Sequence, residues 1–190
     1  VQVNGGGGAL FNASRDVDTI RRIGAAHRRF GTTGFLPTLI SDDLKVVDEA
    51  MRAADAAIES GVPGVLGIHV EGPFLSVARK GVHDAGWFRE LDESGIRLLT
   101  SLRRGRTVVT LAPEMTTPGF IDKLAAAGVI VCAGHTDASY AEIREALKHG
   151  LQGFTHLFNA MSQLTSRQPG AVGAALEDEE SWCGIIVDGQ

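Results

Sequence analysis

Three residues of types that hold metal ions each follow an apolar run: Glu71, His135 and His156. Glu71 ends Val65-Leu66-Gly67-Ile68-His69-Val70, and His135 follows Val129-Ile130-Val131-Cys132-Ala133-Gly134. His156 follows the shorter Gly153-Phe154-Thr155. Short apolar runs read as buried strands, so all three residues fall just past a strand's downstream end. In a parallel sheet those ends share one mouth, and in a (β/α) barrel that mouth is where chemistry sits. Two imidazoles and a carboxylate make an open metal site that keeps a position for water. A divalent ion there lowers the pKa of its water from 15.7 toward roughly 7 and so provides a nucleophile at neutral pH. Taken singly, each residue has an ordinary reading as a solvated loop carboxylate or a hydrogen-bonded structural histidine. Only their common place relative to a strand favours a metal, and spacing alone leaves the two readings level.

The other histidines are weaker candidates. His69 lies two residues before Glu71 on the same strand face, which suits a barrel interior or a place behind the ligands. His83, in Arg79-Lys80-Gly81-Val82-His83-Asp84, suits a substrate contact or an ordinary surface position. His149 ends a helix, where a cation complements the dipole. His27 belongs to a solvated helix face.

These residues need a scaffold of alternating elements. Val1–Asn4 reads as a strand tail, and Gly5–Gly8 as a turn or as backbone able to approach a ligand. Strands are expected at Gly34–Ile40, Val65–Glu71, Thr107–Leu111, Val129–Ala133, Gly153–Thr155 and Cys183–Val187. Helices are expected at Asp16–Arg29, at Leu44–Ser60 behind Ser41 and two aspartates, and at Asp92–Arg103. Two more are expected, one at Pro118–Ala127 and one between His135 and His156. Gly72–Gly86 reads as irregular, and Ser166–Gly173 as a loop. Alternation of this kind implies βαβ units and a parallel sheet. A doubly wound open sheet is the alternative. The barrel is favoured because polar residues recur at several strand ends and not around one switch point.

Composition narrows the classes. The 190 residues allow one domain or a large piece of one, with 44% hydrophobic and 22% charged residues, as in globular proteins. A formal charge of -5 leaves no basic footprint for nucleic acid. No apolar run nears the ~20 residues of a membrane span and no signal pattern opens the chain, so the cytoplasm is expected. Cys132 and Cys183 lie in apolar runs and read as buried free thiols of a reducing compartment. Both ends look cut within a strand, which suggests a fragment.

Across the whole chain, VQVNGGGGALFN, GTTGFLPTLI, GIHVEGPFLS, RKGVHD, TLAPE, AGHTDASY, THLFNAM, SRQPG and GIIVDG resemble the N-acetylglucosamine-6-phosphate deacetylases of the amidohydrolase superfamily. HVEGPF and THLFNAM are the specific segments; AGHTDA alone is weak. The resemblance implies a distorted (β/α)₈ TIM-type barrel, with residues 1–190 as a partial hydrolase barrel domain carrying strands one to seven. The eighth strand and a small β-sandwich domain would lie outside this chain. It implies Glu71, His135 and His156 as ligands of one divalent ion, zinc first and iron second. His83 would polarise the acetamide carbonyl, while Asn159 and the Ala160 backbone would bind the phosphosugar. Arg167 would reach the phosphate of a neighbouring subunit's substrate, which implies a homodimer. The reaction would convert N-acetylglucosamine 6-phosphate to glucosamine 6-phosphate and acetate. The superfamily's first-strand His-x-His pair is here Gln2-Val3-Asn4, and neutral amides are poor ligands for a second metal. The family's catalytic aspartate would fall beyond Gln190. Two alternatives stand beside this reading. One is a dihydroorotase- or deaminase-like amidohydrolase, against which Gln2, Asn4 and Arg167 speak. The other is a non-catalytic sugar-phosphate binding protein or an inert fragment, because a barrel lacking one strand has open edges.

Overall fold

The computed structural model describes residues 2–189 and is an α/β structure built on parallel strands. In chain order, the strands are β1 (Gln2–Val3), β2 (Gly5–Gly6), β3 (Ala9–Leu10), β4 (Leu36–Ile40) and β5 (Gly67–Glu71). They continue with β6 (Arg106–Leu111), β7 (Ile130–Ala133), β8 (Leu151–Phe154) and β9 (Trp182–Cys183). Six helices intervene: α1 (Val17–Arg28), α2 (Leu44–Glu59), α3 (Glu93–Leu99), α4 (Pro118–Ala126), α5 (Tyr140–Lys148) and α6 (Gly170–Glu177). Seven strands form one sheet in the order β1-β4-β5-β6-β7-β8-β9, and every neighbouring pair is parallel. The sheet curls, because Gln2 on one edge strand and Trp182 on the other line the same cavity. The result is part of a barrel.

Strand periodicity decides which side chains look into the curl. On β5, Ile68 and Val70 join the main core against the helices, so His69 and Glu71 face inward. On β6, Val109 and Leu111 face the helices, while Val108 packs inside with Leu36 and Cys132. On β7 the same alternation sends Val131 and Ala133 outward and Cys132 inward. Side-chain caps set several helix starts: Asp16 accepts from Thr19 N, Asp43 from Lys45 N and Asp92 from Gly95 N. Ser139 and Glu142 form a reciprocal capping box at α5. Gly5–Gly8 is a tight hairpin between β2 and β3, with Gly7 and Gly8 at positive φ, so the turn reading of these glycines holds. No helix among the described residues is long and apolar enough to cross a membrane.

Several expectations need correcting. The final strand is Trp182–Cys183 and not Cys183–Val187. Bonding to the chain of β8 runs as far as Gly184, whose N–H donates to Phe154 O and whose O accepts from Leu157 N–H across the turn that His156 makes at φ 39°. Ile185, Ile186 and Val187 are consequently exposed, as is Cys183. Cys132 is the buried free thiol, pushed up to about 12 by burial. The expected loop at 166–173 holds only as far as Pro169, and α6 begins at Gly170, where the run Gly170-Ala-Val-Gly-Ala-Ala has too few large side chains to show helical periodicity. It is held by burial of Ala171, Val172, Ala174 and Ala175. The helix expected to reach Arg103 stops at Leu99, where Thr100 turns its hydroxyl onto Ile96 O. His27 is half-buried, with Nε2 2.8 Å from Gly5 O, and not wholly solvated. Val1 and Gln190, the outermost residues of the expected terminal elements, lie outside the described residues.

Candidate metal centre

Glu71, His135 and His156 meet at one point. Glu71 Oε1 lies 3.2 Å from His135 Nε2 and 3.1 Å from His156 Nε2, and the two nitrogens are 3.1 Å apart. The parallel register makes this possible, since β5, β7 and β8 end at one mouth and each delivers one residue there.

Backbone carbonyls fix the imidazole tautomers. His135 Nδ1 sits 2.9 Å from Arg79 O, and His156 Nδ1 sits 3.1 Å from Asn159 O. A carbonyl only accepts, so each Nδ1 carries the proton and each Nε2 presents a lone pair. Three lone-pair atoms therefore face one another, an arrangement that a cation among them makes favourable. The edges also fit in length. A tetrahedral site with bonds of about 2.0–2.1 Å needs ligand atoms about 3.3–3.4 Å apart. Gln2 donates from Nε2 to Glu71 Oε2 at 2.7 Å, which occupies the second carboxylate oxygen and leaves Oε1 to the histidines.

His83 is buried with its ring 4.4 Å from that of His135. Glu71, His83 and His135 also offer atoms within 4.8 Å of one another, a second possible trio. The hydrogen bonds distinguish the histidines of the two sets. Ser41 donates its backbone N–H to His83 Nδ1 at 3.3 Å, with Ser41 Oγ 2.8 Å from the same nitrogen. Neutral His83 thus keeps its proton on Nε2, where it is a hydrogen-bond donor. Burial, followed by the nearby His135, pushes the His83 pKa down to about 4, so the ring is neutral at pH 7. Ser41, expected to help cap α2, serves this role instead, and Asp43 makes the cap. Gly72 makes room, because a Cβ there would lie 2.1 Å from Ser41 Oγ.

Burial raises the Glu71 pKa, but hydrogen bonds with His135 and His156 outweigh it and hold the carboxyl well below its usual range. Burial lowers the His156 pKa, yet contact with Glu71 leaves it raised overall. A proton and a metal ion thus compete for His156 Nε2.

The backbone here is strained. Among the described residues, the non-glycine positions at positive φ are His135 (48°), His156 (39°), Phe158 (75°) and Ala160 (50°), all in or beside this centre. Each such conformation costs on the order of 1–3 kcal/mol and persists only where surroundings hold it. Thr136 N–H to Ala160 O at 3.1 Å and Asn159 N–H to His156 O at 2.9 Å are two of the restraints.

Glu71, His135 and His156 open onto a cavity of about 420 Å³ that also takes in His83, Asn159 and Ala160. The structure does not bring Arg167 there; it lies on an exposed loop outside the lining. His69 is the inward-facing residue expected, buried with Nε2 2.7 Å from Thr110 Oγ1. Sequence reading missed three contributors. Gln2 stood out as a non-ligand but not as Glu71's partner, Ser41 looked like a cap, and Arg79 acts through a carbonyl that no side-chain pattern reveals.

No protein-family model matches the chain. An N-acetylgalactosamine-6-phosphate deacetylase of Shewanella sp. (strain ANA-3) is 48% identical over 189 residues, which is 100% of this chain and 48% of that protein. The crystal structure of N-acetylglucosamine-6-phosphate deacetylase from Pasteurella multocida superposes with a TM-score of 0.94 at 35% identity. That match covers 100% of this chain and 50% of the other. The chain is homologous to these deacetylases over its whole length. A mutant of the Mycobacterium smegmatis N-acetyl-D-glucosamine-6-phosphate deacetylase, solved with N-acetyl-D-glucosamine-6-phosphate, gives a TM-score of 0.90 at 35% identity. That match covers 99% of this chain and 49% of the other. The chain thus spans about half the length of the deacetylases it matches.

His69 supplies a test of burial by pH. Burial pushes its pKa down to about 4 from an ordinary 6.5. Between these values the unfolded chain binds a proton that the folded chain does not, so stability falls as pH drops through this window. His83, depressed for the same first reason, acts in the same direction. The raised pKa of His156 removes stability only above 6.5. Urea unfolding at pH 6.5 and 4.5 is expected to show a loss of roughly 2 kcal/mol attributable to His69, at about 1.4 kcal/mol per pH unit for a fully unmatched proton. His69→Gln should flatten that slope; an unchanged slope would contradict the assignment.

Proposed function

We propose that the protein containing this chain removes the N-acetyl group from an N-acetylhexosamine 6-phosphate, releasing acetate and the amino sugar 6-phosphate. The observation that carries the reading is the convergence of Glu71 Oε1, His135 Nε2 and His156 Nε2 within 3.2 Å, both imidazoles being held in the tautomer a ligand needs. These three would hold one divalent ion, zinc or iron, since both accept imidazole with carboxylate. When bound, such an ion activates water at neutral pH and polarises a carbonyl.

The chain's own groups provide the rest. Gln2 keeps Glu71 turned to present Oε1. His83, neutral with its proton on Nε2, donates to the acetamide oxygen as negative charge grows there. Asn159 and the Ala160 backbone, at the cavity wall, orient the sugar phosphate. Arg167 pairs with a phosphate through its planar fork, from its exposed loop and across a homodimer interface. The aspartate that moves the proton to the leaving amine, the eighth strand and the small β-sandwich domain come from polypeptide outside residues 1–190. Relatives acting on both the glucosamine and galactosamine epimers support the substrate class.

The test is acetate release by the intact protein from N-acetylglucosamine 6-phosphate, N-acetylgalactosamine 6-phosphate and unphosphorylated N-acetylglucosamine, with dihydroorotate ring opening as a control. The phosphorylated sugars should exceed the free sugar by at least about 100-fold in kcat/KM, the scale expected when a charged contact is lost. Turnover of dihydroorotate would move the protein to another amidohydrolase branch. Tight binding of the sugar phosphates without acetate release would make it a binding protein.

A further inference from the structure

The segment Thr110-Leu111-Ala112-Pro113-Glu114 places a carboxylate past the end of β6 with no part in the centre described above. Glu114 is half-buried and grips the turn that follows His135 with both oxygens. Oε2 accepts the Thr136 hydroxyl at 2.5 Å and Oε1 accepts the Asp137 N–H at 2.6 Å. Thr136 Oγ1 in turn accepts the Ala138 N–H at 3.1 Å, which closes the turn on itself. Asp137 Oδ1 then takes the Arg79 Nε–H at 2.8 Å, and Arg79 O takes the His135 Nδ1–H at 2.9 Å. Four hydrogen bonds thus run from Glu114 round to the imidazole of His135, reaching it from the backbone side and from the ring side.

We infer that Glu114 is the positioning residue for His135, holding it as a metal ligand through the Thr136–Asp137 turn. His135 needs such a restraint because it sits at φ 48°, a conformation an L-residue leaves unless held. Releasing the turn lets φ relax, which carries Nε2 away from Glu71 Oε1. It also frees the Asp137–Arg79 pair, so the carbonyl that fixes the tautomer is no longer anchored. Glutamine at this position can keep its oxygen on the Asp137 N–H and turn its NH₂ to the Thr136 hydroxyl oxygen, but it loses the charge that strengthens both bonds and reverses the one to Thr136. The inference rests on the metal reading above and concerns a residue that touches neither ion nor substrate.

The experiment uses the intact protein and three forms: wild type, Glu114→Gln and Thr136→Val. Thr136→Val deletes the hydroxyl while keeping the branched shape. Zinc affinity is measured by chelator competition, and the His135 tautomer by long-range ¹⁵N–¹H correlation in metal-free protein. Wild type should show a single Nδ1–H tautomer. Both variants should show mixed tautomers and bind zinc about 10–100-fold more weakly, the usual cost of losing an outer partner of a metal ligand. Wild-type affinity together with a wild-type tautomer in Glu114→Gln would overturn the inference, even if its melting temperature drops. Failure of wild type to bind zinc would sink the metal reading separately, and the tautomer comparison would still decide the role of Glu114.

Discussion

Glu71→Gln and His156→Ala are each expected to lose tight metal binding, by more than the 10–100-fold that loss of an outer partner causes. Acetate release should fall in step. The argument is electrostatic and geometric together. Glu71 supplies the only formal negative charge of the trio, and contact with His135 and His156 holds its carboxyl well below the usual range despite its burial. Glutamine keeps the shape and the oxygen but removes that charge, so two neutral imidazoles and an amide remain, a poor set for a divalent ion. His156→Ala removes one corner of a triangle whose edges are 3.1–3.2 Å and opens the cavity wall. Inductively coupled plasma analysis after dialysis, with turnover measured on the same samples, checks both. Wild-type metal content in either variant would reject the ligand assignment. Acidification should weaken metal binding too, because His156 holds a proton more tightly than an ordinary histidine when the ion is gone.

His83 should behave in the opposite way. His83→Phe is expected to keep the metal and to lower kcat about 100- to 1,000-fold, the range for removal of one donor to a developing oxyanion. Ser41's N–H lies against Nδ1, which leaves the Nε2 proton to face the cavity. Phenylalanine fills a similar volume and donates nothing. Unchanged turnover would remove His83 from the chemistry, whereas loss of metal would make it a ligand and favour the grouping of Glu71, His83 and His135. Zinc content and steady-state rates therefore separate the two sets of three.

Much of this centre could be read from the chain because strands impose a period of two. Once Val65–Val70 is taken as a strand with Ile68 and Val70 against helices, His69 and Glu71 must face the other way. His135 and His156 follow from the same logic at β7 and β8. What could not be read has a physical cause in each case. The tautomers depend on carbonyls of Arg79 and Asn159, and every residue has a carbonyl, so no side-chain pattern marks those two. Ser41 fits the role of a helix cap as well as that of a histidine partner, and only its hydrogen bonds to His83 Nδ1 show which it takes. Helix α6 escaped because alanine and glycine give a hydrophobic pattern little amplitude. The apolar stretch Ile185–Val187 reads as a strand by composition, but strand structure needs a partner, and beyond Gly184 the chain of β8 has turned away.

The most direct test is anomalous diffraction at the zinc edge from crystals of the intact protein grown with zinc. The arrangement described here predicts one peak about 2.0–2.1 Å from Glu71 Oε1, His135 Nε2 and His156 Nε2 together. A peak bonded to His83 in place of His156, or no peak among these residues in a crystal that holds zinc elsewhere, would contradict it.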